Sequence, residues 1–200
     1  MKARILLLAL LAAVMTYGSS CINEGFLIPV NLSINNCYLV TSTTIGLINT
    51  SPKSFALSTL IDESFRDNIK GARYYDIRVS STGNFTGNIV GTVSVSSPQS
   101  PTQQVLLYVG GGANNTNPVP WSTFSTPQTL LGASPYVRTS AAGVGVLVAA
   151  LDRMVTDSNT SITLYVTGQT SGATSLPSGL SVCVEILGQV DARINGGDGN

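Results

Sequence analysis

The strongest pattern along the chain is an alternation of apolar and other residues close to its beginning. Residues 26–34 read FLIPVNLSI. Side chains of an extended strand point to opposite faces with a period of two, so one face would be apolar and the other polar from Pro29 onward. The pattern predicts a β-strand that either pairs within its own domain or fills a groove in a neighbouring subunit. Its apolar face would carry Phe26, Ile28, Val30, Leu32 and Ile34.

Shorter segments rich in Val, Ile and Thr predict further strands. They cover residues 38–48, 74–79, 85–95, 105–109, 162–166 and 180–187, and the β-branched content of residues 144–155 favours strand there too. Residues 54–69 predict one short helix, because their apolar positions recur at near-helical spacing. The long irregular segment at residues 110–135 contains Trp121 and Phe124, which would anchor it to the domain. The whole pattern predicts an all-β fold, an antiparallel β-sandwich of jelly-roll or immunoglobulin-like type.

The beginning of the chain has the layout of a secretion signal. Lys2 and Arg4 precede a short apolar run, and small or polar residues follow it near residue 20. We therefore expect residues 1–20 to be removed as a signal peptide and the mature protein to be extracellular. Residues 21–36 would form the N-terminal strand and a linker ending at Asn35 and Asn36. Residues 37–194 would form the sandwich domain, and residues 195–200 a flexible tail.

The charge pattern argues against several classes of function. The chain has ten acidic and ten basic residues and only 10% charged residues in all, so it lacks the basic footprint of a nucleic-acid-binding protein. It contains no histidine, which removes Ser-His-Asp and Cys-His catalysis and histidine-bearing metal sites. Asp62, Glu63 and Asp67 are interpreted as the solvated face of the helix, and Asp191 with Asp198 matches no known calcium loop. We expect no enzymatic activity, no cofactor and no metal.

Three cysteines allow two disulfide pairings. Cys37–Cys183 would tie the start of the domain to its last strong strand and leave Cys21 for lipid attachment, a bond between subunits or no bond. Cys21–Cys37 would instead clamp the alternating segment into a loop and would argue against its donation. The first pairing is preferred, and export permits either.

Five N-x-S/T triplets predict N-glycosylation on the surface. Four fall at predicted turns or strand ends, and the fifth lies on the outward face of the alternating strand. They begin at Asn31, Asn49, Asn84, Asn114 and Asn159. In a chain without glycosylation these triplets would be accidents of a composition rich in Ser, Thr and Asn.

The order of these parts resembles the subunits of archaeal extracellular threads and related donor-strand filaments. The resemblance rests on the signal segment, residues 26–34, the compact β-domain and the five triplets. It implies a glycosylated structural subunit of a cell-surface filament, polymerised with copies of itself by strand donation, with the membrane involved only in export. Such fibres are in some cases cross-linked through lysines, and Lys53 and Lys70 are the mature candidates.

Two other interpretations remain open at this level. A carbohydrate-binding or adhesin-type module would use Trp121, Phe124 and Tyr136 in the long irregular segment as a stacking surface. A viral coat subunit with a jelly-roll fold is the other.

Overall fold

The computed structural model describes residues 26–41, 44–61, 65, 68–157 and 160–194, which form two antiparallel sheets. The first sheet contains β1 (Phe26–Leu39), β4 (Ile69–Thr82), β8 (Gln128–Thr129) and β11 (Ser181–Ile194), in the order β1-β11-β4-β8. The signal segment, Cys21, Asp62, Glu63, Asp67, Asn159 and the tail from residue 195 lie outside the described residues.

The second sheet has more strands: β2 (Ile48–Asn49), β5 (Asn88–Ser97), β6 (Ser100–Val109), β9 (Val137–Thr139) and β10 (Ser161–Ser171), in the order β2-β10-β5-β6-β9. Two further short strands, β3 (Lys53–Ala56) and β7 (Val119–Pro120), pair with β10 and β5, respectively. Two single-turn 3₁₀ helices cover Leu57–Leu60 and Trp121–Phe124, and one α-helix, α1, covers Ala141–Met154.

The strand order is that of a jelly roll. Strands from opposite ends of the chain pair in a nested series: β1 with β11, β2 and β3 with β10, β4 with β8, and β5 with β6. The members of this series alternate between the two sheets, as in a long hairpin rolled into two layers. The predicted antiparallel sandwich is therefore confirmed, and it is the jelly-roll alternative that is realised.

The core fills the space between the two sheets. Inward-facing positions of both sheets alternate with exposed ones, as expected for a sandwich. The burial is nearly complete at Ile77, Val93, Leu164, Val166, Val184 and Ile186. Helix α1 packs against β5 and β6 and also contacts β4, so it bridges the two sheets on one side.

The helix lies in a different segment from the predicted one. Residues 54–56 belong to β3 and residues 57–60 to a 3₁₀ turn, so the helix prediction is wrong there. The strand prediction for residues 144–155 is also wrong, because α1 occupies most of it. Its buried residues recur every three or four positions, and burying that face outweighs the small intrinsic penalty of valine in a helix. They are Gly143, Val146, Leu147, Ala150, Leu151 and Met154.

Most of the other predicted strands are present and longer than predicted, but residues 38–48 are not one strand. The chain leaves β1 after Leu39 and turns through Gly46, whose φ of 118° favours glycine, before β2 begins at Ile48. In the described part of the chain, no helix combines the length and apolarity needed to cross a bilayer.

Candidate functional site: the open edge of β1

Strand β1 completes the first sheet of its own subunit. It pairs antiparallel with β11 over its whole length, from Phe26 opposite Ile194 to Leu39 opposite Ser181. The linker predicted at Asn35 and Asn36 is wrong, because β1 continues through both residues. Asn36 falls on the inward face, and its Oδ1 accepts a hydrogen bond of 2.6 Å from Lys53 Nζ, which lets a polar residue occupy that position.

The predicted donor side chains divide into two groups by burial. Leu32 and Ile34 are each 1% exposed, whereas Ile28 and Val30 are half-buried. Phe26 begins the strand, but its side chain lies outside what the structure describes. The outward Leu27 is 57% exposed. The part of β1 from Leu32 onward is therefore embedded in its own core, and the first half before it (residues 26–31) is held more weakly. The role of the five predicted residues as donated side chains stays a prediction.

The backbone of β1 has one paired side and one open side. Val40 N–H donates to Leu180 O at 2.8 Å, so even-numbered residues direct their backbone groups toward β11. Odd-numbered residues direct theirs away from the sheet. Pro29 is odd-numbered, so its missing N–H costs the β1–β11 ladder nothing. We call residues 27–35, seen from this unpaired side, the open edge.

The open edge is unusually long and carries no charge. All 14 residues of β1 are uncharged. The strands at the other sheet margins of the described chain are short: two residues in β8, β2 and β7, three in β9 and four in β3. Proteins usually protect edge strands by shortness, charge, proline or a covering element, and within the described residues the stretch 27–35 of β1 has only Pro29. It is therefore the strand most available for pairing with another chain.

Lys53 closes the far end of this edge. Its Nζ donates to the carbonyl of Cys37 at 2.9 Å, which is an odd-numbered, outward-directed group. The same amine lies 5.3 Å from the ring centroid of Tyr38. Tyr38 is buried, and this burial raises the pKa of its phenol. Upstream of Asn36, the described residues provide no comparable cap.

A disulfide joins β1 to the strand beside it. Cys37 and Cys183 stand directly opposite each other in the β1–β11 register and are bonded, as the sequence predicted. The alternative Cys21–Cys37 bond is therefore wrong. The disulfide fixes the C-terminal part of β1 to its own subunit and leaves the residues before it attached only by noncovalent contacts.

The aromatic stacking surface predicted for a carbohydrate-binding module is not formed. Trp121 and Phe124 are each only 2% exposed. The Trp121 indole N–H donates to the Gly83 carbonyl at 3.0 Å, and its ring meets Phe85 edge-on at 5.8 Å. Both residues anchor the long irregular segment to the sandwich, as the sequence also suggested; Tyr136 is half-buried.

A charged cluster lies on the outer face of the first sheet. Asp76 is fully buried and accepts hydrogen bonds from Arg78 Nε (2.9 Å), Thr129 Oγ1 (2.7 Å) and Leu131 N–H (3.0 Å). Burial acts to raise the pKa of Asp76, but the amide, the hydroxyl and the guanidinium together outweigh it and hold that pKa below its usual value. Arg78 also reaches Glu185 at 3.3 Å. These bonds hold β8 and the residues after it against β4, so the cluster stabilises the fold.

The other predicted polar sites are placed as follows. Asp191 pairs with Arg73 at 3.3 Å, and its proposed calcium partner Asp198 lies outside the described residues. Among the described residues, no group of three or more His, Cys, Asp or Glu side chains could hold a metal. The four described glycosylation asparagines are exposed, which makes them accessible: Asn31, Asn49, Asn84 and Asn114.

No protein-family model matches the chain, and no curated protein matches it. Similar solved structures come from viruses. A chain of turnip yellow mosaic virus has 10% identity and a TM-score of 0.35, covering 88% of this chain and 99% of that one. A chain of Desmodium yellow mottle tymovirus has 9% identity and a TM-score of 0.31, covering 84% of this chain and 90% of that one. A chain of tobacco necrosis virus has 14% identity and a TM-score of 0.30, covering 84% of this chain and 89% of that one. At these TM-scores the likeness carries no argument about function, and the jelly-roll assignment rests on the strand order.

Proposed function

We propose that this chain is a structural subunit of an extracellular assembly in which copies of the chain join through β1. The observation that carries this proposal is the open edge, a row of outward backbone groups on a long uncharged strand. An extended strand from a second copy would satisfy those groups with main-chain hydrogen bonds and continue the sheet. The secretion-like first 20 residues and the Cys37–Cys183 bond support an extracellular, oxidising location.

The first arrangement pairs the open edges of two copies. Each β1 would stay in its own sheet, and the two strands would meet antiparallel across a two-fold axis. This arrangement adds hydrogen bonds that the single subunit does not have. It also keeps Leu32 and Ile34 buried and the disulfide undisturbed. A filament or a shell would then need one further contact between such pairs.

The second arrangement is the strand donation implied by the resemblance to extracellular threads. The first half of β1 would leave its own β11 and pair with the β11 of the next subunit in the same register, head to tail. The half-buried Ile28 and Val30, upstream of the disulfide, favour it as the part that leaves most easily. Since the contacts made by β1 would be nearly the same in either subunit, donation gains less than edge pairing.

Replacing Ser33 by proline tests edge pairing. Ser33 is odd-numbered, so Ser33→Pro deletes an N–H on the open side and leaves the β1–β11 ladder intact. A two-fold pair would lose two hydrogen bonds of about 1 kcal/mol each, which weakens association roughly 30-fold. Sedimentation of the secreted protein measures this effect. Ser33→Thr, which keeps the N–H, is the matched control and should assemble like the wild type.

Assembly of Ser33→Pro with wild-type affinity would exclude edge pairing. Donation is tested with the double variant Asn31→Cys and Gln189→Cys. These positions stand opposite each other and form a non-hydrogen-bonded pair, as Cys37 and Cys183 do, so a disulfide can bridge them. Edge pairing predicts a disulfide within one chain and a monomer on a non-reducing denaturing gel. Donation predicts a covalent ladder that disappears with reductant. Assemblies insensitive to Ser33→Pro and without a ladder would refute the role of β1 altogether.

A further inference from the structure

A hollow of about 500 Å³ lies on the outer face of the second sheet, away from β1. Its floor is formed by outward-facing residues of three neighbouring strands. Leu47 and Asn49 border it on one side, and Asn115 and Thr116 border it on the other. The floor residues are Val90 and Thr92 of β5, Tyr108 of β6, and Thr167 and Gln169 of β10.

The hollow is already shaped in the free chain. Asn115 is 4% exposed and adopts a left-handed φ of 53°, and its Nδ2 donates to the carbonyls of Gly110 (2.9 Å) and Pro135 (2.8 Å). These bonds hold one wall in place. On the floor, the hydroxyls of Thr92 and Thr167 share a hydrogen bond of 3.1 Å.

The lining suits a neutral saccharide. None of the residues that line the hollow is charged, and the side chains offer hydroxyls, amides, methyl groups and one aromatic ring. A sugar ring has apolar C–H faces and a hydroxyl rim, so it needs an apolar floor with a few polar groups around it. Tyr108 provides the aromatic surface, and the guanidinium of Arg138 on β9 packs over its ring at 5.2 Å.

The hollow also contains a glycosylation asparagine of the chain itself. Asn49 is exposed, stands opposite Thr167 in the β2–β10 register, and begins the triplet Asn49-Thr50-Ser51. A glycan on this side chain would start inside the hollow rather than project from a flat surface. Asn114 flanks the opposite wall, whereas Asn84 does not line the hollow.

We propose that the hollow is the bed of an N-linked glycan attached to Asn49, whose first sugars pack against Tyr108 and bond to the surrounding hydroxyls and amides. The inference rests on the extracellular location in the proposed function and on the predicted glycosylation of Asn49, but not on assembly through β1. A glycan seated in this way would cover the β10–β5 surface of the mature subunit and stabilise it.

The experiment is a double-mutant cycle on protein secreted by its native cells. Mass spectrometry first measures the occupancy of the Asn49 peptide. Thermal unfolding is then compared for wild type, Asn49→Gln, Tyr108→Ala and the double variant. We expect Tyr108→Ala to lower the Tm by about 2–4 °C more when the Asn49 glycan is present, for a contact of about 1 kcal/mol. Asn84→Gln is the matched control and should combine additively with Tyr108→Ala.

Two results would overturn the proposal: an unmodified Asn49 peptide, or additive Tm changes for Asn49→Gln and Tyr108→Ala. Because the Ser33→Pro assay does not involve Asn49, failures of the two proposals are distinguishable.

Discussion

Removal of the Cys37–Cys183 disulfide gives the most quantitative prediction for this fold. The two cysteines are 146 residues apart in sequence, so the bond closes a loop that contains most of the domain. The loop-entropy relation gives a stabilisation of about 5 kcal/mol at 25 °C for a loop of this length. For a domain of this size, such a loss corresponds to a fall in Tm of roughly 10–20 °C. We expect the variant Cys37→Ser with Cys183→Ser to show this fall.

The location of the bond also predicts which part opens first. Leu32 and Ile34 stay buried in the variant, but the covalent tie between β1 and β11 is gone. Amide hydrogen exchange should therefore accelerate in β1 more than in β10, which lies inside the second sheet.

The assay is thermal unfolding of dilute protein, so that association does not contribute to the Tm. Wild-type protein in excess reductant is the control, and its Tm should equal that of the double variant. A Tm within about 3 °C of the oxidised wild type would refute the reasoning, because a bond across so long a loop cannot be that weak in the entropic model. Uniform acceleration of exchange in β1 and β10 would contradict the predicted order of opening.

Three further predictions follow from the packing. Gly143→Ala should destabilise the protein by about 1–3 kcal/mol, because the new Cβ would overlap the β6 backbone. At Gly145, on the same helix, a new Cβ would face open space, so Gly145→Ala should stabilise the protein by about 0.5–1 kcal/mol. Urea unfolding measures both variants, and equal changes in their free energies of unfolding would contradict the packing of Gly143 against β6. The lowered pKa of Asp76 adds stability that is present above about pH 4 to 5 and is lost as the pH falls through the pKa of the folded state. The Tm of Asp76→Asn should therefore depend less on pH than the wild-type Tm below about pH 4. A pH dependence as steep as that of the wild type would exclude this role. Replacing Ile28 and Val30 by Asp should abolish fibres in negative-stain micrographs while export continues, and fibres of normal length would rule out the first half of β1 as a joint.

The strands could be read from the sequence because their burial alternates locally. In β1, the period of two at residues 26–34 identifies the inward residues, and burial in the structure follows it. The Cys37–Cys183 bond was predicted on a different ground: it ties the start of the domain to its last strong strand, in a chain whose export permits disulfides.

The helix and the edge could not be read in this way, because both depend on what lies next to them. Val144, Val146 and Val148 favour a strand by composition, and only contact of the buried helix face, which includes Val146, with β5, β6 and β4 makes helix the better solution. Similarly, Trp121 could equally have been a binding surface or an anchor until the Gly83 carbonyl and the Phe85 ring were placed around it.

The sequence by itself determined that this chain is a β-sandwich with an alternating first strand, because side-chain periodicity is a local property of an extended backbone. Only the tertiary structure decided which strand that segment lies beside, which half of it is buried, and which of its backbone groups remain unpaired. These properties depend on partners far away in sequence, such as β11 and Lys53. A local pattern specifies what a strand buries, whereas the register with its neighbour decides what it leaves open.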